Sequence, residues 1–246
     1  MEPAHLQELE ELESTYWWHV AKRKLAITLL QRFASPPGLL VEGGIGASRN
    51  LQEFKKLGYE VQGFDVMPEA ISMAQAKGIE TVNIHDLEKP WPVKEKARAI
   101  VLLDVLEHIS DSVGALENIR DVLAPDGAVI LTVPAYPCLF NSWDEKLGHF
   151  RRYTNRMLRD EVKQAGLKIK WLGHWNSFTL PAAIALRGFN RLFKRNTSTE
   201  FPRVSNAVNS MLLGCAGLER KCLMSLGVPM GLSICGVLTH DESQAN

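Results

Sequence analysis

Short apolar runs alternate with helical segments along most of the chain, and this alternation constrains the fold more than any other feature. The runs contain few polar residues, as expected for strands of a parallel sheet that helices cover on both faces. The predicted strands lie at 39–41, 59–64, 81–84, 99–103, 128–133, 167–172 and 233–239. The sequence therefore predicts an α/β fold with a Rossmann-like, doubly wound, mostly parallel seven-stranded sheet.

The chain is predicted to form a single domain over residues 1–246, because it contains no low-complexity linker. Residues 1–36 are predicted to be a helical extension that carries the aromatic run Tyr16-Trp17-Trp18. These rings either close over the site as a lid or dock the helix on the core. The remaining parts are a core over 37–172, a helical insertion over 173–230 and the last strand over 231–240.

Charge and cysteine content argue against several classes of protein. The 28 Lys and Arg residues balance the 28 Asp and Glu residues, so we expect no nucleic-acid partner. The four cysteines form no C-x-x-C pair, and no metal site is expected. The N-terminus lacks a secretory signal pattern, and no apolar run reaches the roughly 18 residues of a membrane span. These features predict a cytoplasmic protein.

Acidic residues stand at the ends of four successive predicted strands, and a glycine turn follows the first strand. The acids are Glu42, Asp65, Asp86 and Asp104. In a doubly wound sheet, ligands bind beyond the carboxyl ends of the strands. Gly44 and Gly46 allow a tight turn and a close approach of the backbone to a ligand. A single acid at a strand end is commonly a turn or cap residue, but the joint spacing predicts an adenosyl-type ligand.

Each of these acids has a physical role in such a site. Asp65 lies about 20 residues beyond the glycines, where an acid accepts hydrogen bonds from both ribose hydroxyls. Asp86 can accept from the exocyclic amine of adenine, while Leu87 packs on the ring. Glu42 either orients the glycine loop or binds a cationic amine.

The glycine turn does not match the common nucleotide-binding patterns. A G-x-G-x-x-G pattern that starts at Gly44 would end at Arg49, and a P-loop sequence is absent. An acid just before the glycines repels a pyrophosphate but suits a ligand with an ammonium and a sulfonium.

Five segments of the chain jointly resemble the motifs of class I S-adenosylmethionine-dependent methyltransferases. The matching segments are 41–46, 63–70, 86–92, 103–109 and 123–127. The resemblance implies S-adenosylmethionine as the cofactor. The cofactor-binding residues that it implies are Glu42, Gly44, Gly46, Asp65, Val66, Asp86, Leu87 and Asp104.

The resemblance is closest to the branch that includes ubiquinone-biosynthesis-type enzymes. Three further segments of that branch recur here, namely Trp17-Trp18, 147–154 and 228–233. One position departs from the family pattern, because Ser48 replaces the last glycine of the first motif. Serine is small and can cap the following helix.

Four polar residues are candidates for the chemistry. His108 follows Asp104 by one turn and is either a general base or a packing residue. His149, Arg152 and Tyr153 follow the fifth predicted strand. They either hold an anionic or hydroxylated acceptor or form a solvated loop.

The sequence favours a methyltransferase that acts on oxygen, nitrogen or carbon of a small-molecule or lipid-like acceptor. One alternative is an NADP-dependent reductase, although Tyr153 is followed by Met157 where a Tyr-x-x-x-Lys pair would have lysine. Another is a non-catalytic S-adenosylmethionine-binding module. The segment 178–195 mixes apolar and basic residues, which predicts either peripheral membrane contact or a helix packed on its own domain.

Overall fold

The computed structural model of the chain describes residues 3–185 and 203–241, with side chains from Leu6 onward. The strands are β1 (Leu39–Gly43), β2 (Glu60–Asp65), β3 (Val82–Ile84), β4 (Ala97–Leu103), β5 (Leu123–Pro134), β6 (Leu167–Trp175) and β7 (Ser233–His240). They form one sheet in the order β3-β2-β1-β4-β5-β7-β6. Strand β7 runs opposite to the other strands, so that its pairs with β5 and β6 are antiparallel and the remaining pairs are parallel. The predicted Rossmann-like, mostly parallel seven-stranded sheet is confirmed.

Strands β5 and β6 extend furthest beyond their predicted bounds, because pairing with a neighbour lengthens them. Strand β5 begins before residue 128, since Leu123 already pairs with Ala97 of β4. Strand β6 continues past residue 172, since Trp175 pairs with Ser233 of β7. The insertion between the last two strands therefore begins after Trp175, three residues later than predicted.

Eight α-helices of the described residues are named here, and they flank the sheet. They are α1 (Pro3–Leu12), α2 (Trp17–Phe33), α3 (Arg49–Lys56), α4 (Pro68–Ala76), α5 (Ser112–Val122), α6 (Ser142–Lys146), α7 (Asn155–Gln164) and α8 (Asn206–Ser225). Thr154 caps the start of helix α7, since its side chain accepts a hydrogen bond from the N–H of Met157. A further helical segment over 180–185 follows β6.

The cap predicted for Ser48 is wrong. Ser48 stands just before α3, but its φ is +68° and its side chain makes no capping hydrogen bond. The N–H of Arg49 donates instead to Glu13 Oε2, at 3.1 Å. A carboxylate from the residue just after α1 thus satisfies one of the free N–H groups at the start of α3.

Apolar side chains alternate between the two faces of the sheet at its centre. Along β4, Ala99 and Val101 pack with one buried cluster, while Ile100 and Leu102 pack with the other. Helices α1, α2, α3, α4 and α8 contribute to the first cluster, and α5 and α7 contribute to the second. Because helices cover both faces, the edge formed by the carboxyl ends of the strands is left for a ligand.

The described part of the insertion packs on the domain. Glu219 of α8 is buried and accepts from the N–H groups of Asn176 and Ser177, at 2.9 and 2.6 Å. Helix α8 also packs against α2 and β6. Within the described ranges, no helix has both the length and the apolarity needed to cross a membrane. Of the predicted membrane-contact segment 178–195, the part from residue 186 onward lies outside the described residues.

Candidate functional site

A cavity of about 910 Å³ opens at the carboxyl ends of strands β1 to β5. Pockets for small ligands generally measure roughly 300–1,000 Å³, so this volume suits a large ligand or two ligands together. One end of its wall is the glycine turn and the ends of β1 and β2. The second end is the region around α6 with His108 and His149, and the loop after β4, which lies against the glycine turn at Val105, connects the two.

The glycine turn approaches its neighbours so closely that side chains would not fit. Gly44 has a φ of +70°, and a Cβ there would lie 2.6 Å from Val105 Cγ2. Gly46 has a φ of +51°, and its Cβ would lie 2.9 Å from Leu9 Cδ2. Both glycines line the cavity, so bare backbone faces any ligand at this end.

Asp65 ends β2 beside the glycine turn. Its two carboxylate oxygens accept from the N–H groups of Gly46 and Met67, at 3.2 and 3.0 Å. Burial raises the pKa of Asp65, and these two hydrogen bonds oppose that rise. Each oxygen keeps a further lone pair, so the carboxylate can still accept from hydroxyls of a ligand. Val66 is 62% exposed and lines the cavity next to it.

Asp86 and Leu87 line the cavity just beyond the end of β3. Asp86 accepts from the N–H of Glu88 at 3.0 Å, which fixes the carboxylate at the rim. Leu87 is buried beside the ring of Trp91 and presents apolar surface to the cavity. Both positions are compatible with the predicted contacts to an adenine ring.

Glu42 lies behind the glycine turn and is only 1% exposed. Its Oε1 accepts from Asn50 Nδ2 at 2.8 Å, and it is Asn50 that lines the cavity. Burial raises the pKa of Glu42 to about 8. Glu42 itself does not line the cavity, so its place behind the turn favours the prediction that it orients the glycine loop over the prediction that it binds a cationic amine.

Asp104 is held by two partners at the end of β4. Lys22 Nζ of α2 donates to Asp104 Oδ2 and Thr132 Oγ1 donates to Asp104 Oδ1, both at 2.8 Å. Burial alone would raise the pKa of Asp104, but the Lys22 ammonium and the hydrogen bonds hold it below its usual value. Asp104 has a φ of +59°. Such strain in a non-glycine residue is commonly found at functional sites.

Lys22 is a site residue that the sequence analysis missed. It lies 82 positions before Asp104 in the chain, on a helix with no motif that marks it. Only the packing of α2 over the end of β4 reveals the pair.

Two histidines face each other across the second end of the cavity. The rings of His108 and His149 lie 4.6 Å apart between centroids, at 83°. Burial, followed by the neighbouring His149, lowers the pKa of His108 to about 4. Its ring is therefore neutral near pH 7 and has a lone pair.

Asp144 anchors this end of the cavity from helix α6 and was also missed. Its Oδ1 lies 3.0 Å from His149 Nδ1 and 2.7 Å from Arg152 Nη2. Burial opposes ionisation, but the bonds to His149 and Arg152 hold the pKa of Asp144 at about 2. The spacing Asn141-x-x-Asp144 signals the capping box that the structure contains. It gives no signal of the contacts to His149 and Arg152.

Tyr153 does not reach the cavity, and its predicted role as an acceptor ligand is wrong. The side chain is 0% exposed and packs in the buried cluster that includes α5 and α7. Its backbone N–H donates to Pro134, and its carbonyl accepts from the N–H of Tyr136, both at 2.8 Å. Pairing beside β5 therefore directs the ring into the core, whereas His149 and Arg152 line the cavity.

The aromatic run at the start of α2 both docks the helix and lines the cavity. Trp18 packs on Trp175 with centroids 4.9 Å apart, and Trp17 packs on Phe178 at 5.8 Å. Tyr16, Trp17 and Trp18 all line the cavity. Docking is therefore observed, and closure of these rings as a lid stays a prediction.

The residues present fit S-adenosylmethionine, the cofactor that the resemblance implies. The turn at Gly44 and Gly46 presents backbone without side chains, which matches the close approach expected there. The Asp65 carboxylate faces the same space with free lone pairs for ribose hydroxyls. Val66 and Leu87 add apolar surface for a base.

Comparisons with known proteins agree with this fit. Residues 17–170 match the family described as a methyltransferase domain. The search of curated proteins finds no significant match.

Several solved structures share the fold. One is a chain of the complex between the Haloferax volcanii Trm112 methyltransferase activator and a candidate methyltransferase, with a TM-score of 0.65, 17% identity and coverage of 98% of this chain and 95% of that chain. Another is a TehB-like SAM-dependent methyltransferase of Corynebacterium glutamicum, with a TM-score of 0.58, 17% identity and coverage of 98% and 100%. A third is a SAM-dependent methyltransferase of Clostridium acetobutylicum, with a TM-score of 0.56, 11% identity and coverage of 90% and 91%. At these identities the likeness shows the fold.

The family match extends over more than half of the chain and includes the glycine turn, Asp65, Asp86 and the loop with His108. These residues line the cavity. The chain belongs to the methyltransferase-domain family and is an enzyme that transfers a methyl group from S-adenosylmethionine.

Proposed function

We propose that the enzyme methylates a small-molecule or lipid-like acceptor that enters the cavity beside His108, His149 and Arg152. One observation supports this proposal above the others: a single cavity joins the cofactor end to this polar end. The cofactor supplies a methyl group on a sulfonium, already activated for displacement. The chain's own task is then to orient the acceptor and to take up its proton.

The polar end has groups for both tasks. Arg152 is 8% exposed, and Asp144 fixes its guanidinium so that it can hold an anionic or hydroxylated acceptor. His108 lies in the cavity wall and is the candidate general base. The family match favours this reading over the NADP-dependent reductase and over the non-catalytic module.

The likeness to ubiquinone-biosynthesis-type enzymes is part of the same proposal. It is supported by the position of two segments typical of that branch. Trp17 and Trp18 line the cavity, as do His149 and Arg152 from the segment 147–154. A screen of hydroxylated aromatic acceptors, with and without polyprenyl chains, tests this likeness through formation of S-adenosylhomocysteine.

Replacement of Asp65 with alanine is expected to weaken S-adenosylmethionine binding by about 1.5–3 kcal/mol, because charge-assisted hydrogen bonds to the ribose are lost. Calorimetric titration of wild type and D65A measures the two dissociation constants. Asp121→Ala is the matched control, because Asp121 is an exposed acid of α5 away from the cavity. Equal dissociation constants for wild type and D65A, or tighter binding of NADPH than of S-adenosylmethionine, would overturn the assignment.

Peripheral membrane contact through 178–195 is a further part of the proposal. In the described part of this segment, Thr179 and Ala183 line the cavity and Ile184 is 51% exposed. An exposed apolar side chain next to a cavity-lining residue suits delivery of a lipid-like acceptor from a bilayer.

Co-sedimentation with anionic vesicles is therefore expected at low salt, with a decrease at high salt because basic residues contribute. Ile184→Ser is expected to bind these vesicles less, and Asp121→Ala is expected to bind them as wild type does. Absence of binding by folded wild-type protein at low salt would contradict membrane contact and favour a soluble acceptor.

A further inference from the structure

Glu107, His108 and His149 bring three metal-ligating side chains to one wall of the cavity. One ligand atom from each lies within 4.8 Å of the others. All three residues line the cavity. In a tetrahedral site with bonds of about 2.1 Å, ligand atoms are roughly 3.4 Å apart. Small side-chain rotations would therefore bring these three atoms to bonding distance of one ion.

Glu107 supplies a second and independent observation. The residue is 0% exposed, and neither carboxylate oxygen has a hydrogen-bond partner in another described residue. A buried carboxylate without a partner is costly in a folded protein. A cation in the adjacent cavity would provide the missing interaction.

One of the two imidazoles is already oriented by a hydrogen bond at its other ring nitrogen, and the second packs against it. His149 Nδ1 faces Asp144 Oδ1 at 3.0 Å, which leaves Nε2 free. The ring of His108 packs edge-on against the ring of His149, with centroids 4.6 Å apart. Metal-binding histidines usually have such a carboxylate or carbonyl partner, which fixes the tautomer and the direction of the ring.

We propose that Glu107, His108 and His149 bind one divalent transition-metal ion that holds an oxygen atom of the methyl acceptor. Two imidazoles and one carboxylate suit ions such as Zn²⁺, Mn²⁺, Co²⁺ or Fe²⁺. A metal site was not predicted from the sequence, because the four cysteines form no C-x-x-C pair. The part of the proposal that concerns the acceptor rests on the proposed function, since it requires an acceptor in this cavity.

Three protein ligands leave coordination positions open toward the cavity. A bound ion lowers the pKa of a hydroxyl that coordinates it. The hydroxyl then releases its proton to water in the cavity and becomes a stronger nucleophile. This chemistry selects acceptors with an oxygen nucleophile, and most strongly those with two adjacent oxygen atoms.

Cobalt provides a direct readout that does not depend on activity. Purified protein is treated with a chelator, dialysed and titrated with Co²⁺, whose visible absorption reports its ligands. Wild type is expected to bind one Co²⁺, and Zn²⁺ is expected to displace it. Changing a residue that only orients a metal ligand typically weakens metal binding by about 10–100-fold. Glu107→Gln and His149→Ala remove a ligand itself, so each is expected to weaken Co²⁺ binding by more than that. His85→Ala is the matched control, a histidine after β3 that does not line the cavity.

Each preparation is also titrated with S-adenosylmethionine, which separates this proposal from the proposed function and reports whether the variant is folded. Wild type that binds the cofactor but not Co²⁺ would overturn the metal site and leave the proposed function intact. Equal Co²⁺ affinity in wild type and E107Q would also overturn it. For the acceptor class, 1,2-dihydroxybenzene is expected to change the Co²⁺ spectrum of wild type, and an unchanged spectrum would refute an oxygen-donor acceptor.

Discussion

Turnover is expected to fall by ~10²–10⁴-fold when His108 is replaced with alanine, while the affinity for S-adenosylmethionine stays unchanged. The reason is that the His108 ring packs against His149 at the acceptor end of the cavity, whereas the predicted cofactor contacts are made by the glycine turn and Asp65. Release of S-adenosylhomocysteine, with an acceptor that wild type methylates, measures turnover. Calorimetry measures cofactor affinity in the same preparations.

The matched control is again His85→Ala, which is expected to keep wild-type turnover. The loss in H108A is expected whether the ring acts as a general base or as a metal ligand. A chelator distinguishes the two roles, because it would abolish turnover of wild type only if His108 is a ligand. Wild-type turnover in H108A would show that the residue is structural and that methyl transfer relies on positioning alone.

Replacement of Asp144 with alanine is expected to lower the free energy of unfolding by about 3–5 kcal/mol. Asp144 is 1% exposed, and its loss leaves the buried guanidinium of Arg152 without its carboxylate partner. It also removes the group that orients His149. Denaturation in urea, followed by circular dichroism, measures the change.

Asp160→Ala provides the matched control for this prediction. Asp160 also pairs with an arginine, Arg156, but both side chains are largely exposed and the atoms are 3.7 Å apart. Such surface pairs contribute only about 0–1 kcal/mol. A loss in D144A no larger than that in D160A would contradict a buried and structurally important ion pair. The double variant D144A with Arg152→Met is expected to recover part of the stability, since no charge is then left unpaired.

The cofactor end of the cavity was predictable because it depends on strand ends. Parallel strands place their carboxyl ends at one edge of a sheet. Asp65, Asp86 and Asp104 each follow an apolar run, so the alternation of strands and helices was enough to bring them together. Glycines after the first strand likewise marked the turn.

The acceptor end was less predictable, because side-chain direction there depends on pairing outside the regular strands. His149, Arg152 and Tyr153 are close in sequence, but Tyr153 forms a bridge beside β5 and its ring enters the core. Glu107 directly precedes His108, and that adjacency was its only signal. Its burial without a partner became visible only in three dimensions.

The sequence by itself determined the sheet, the order of its elements and the acids at the strand ends, because local periodicity and turn residues encode them. The tertiary structure alone decided which distant groups meet. Lys22 reaches Asp104 across 82 positions, and Glu13 reaches the N–H of Arg49 across 36. Such contacts depend on how the helices pack over the sheet, and no local sequence pattern around one partner predicts the other.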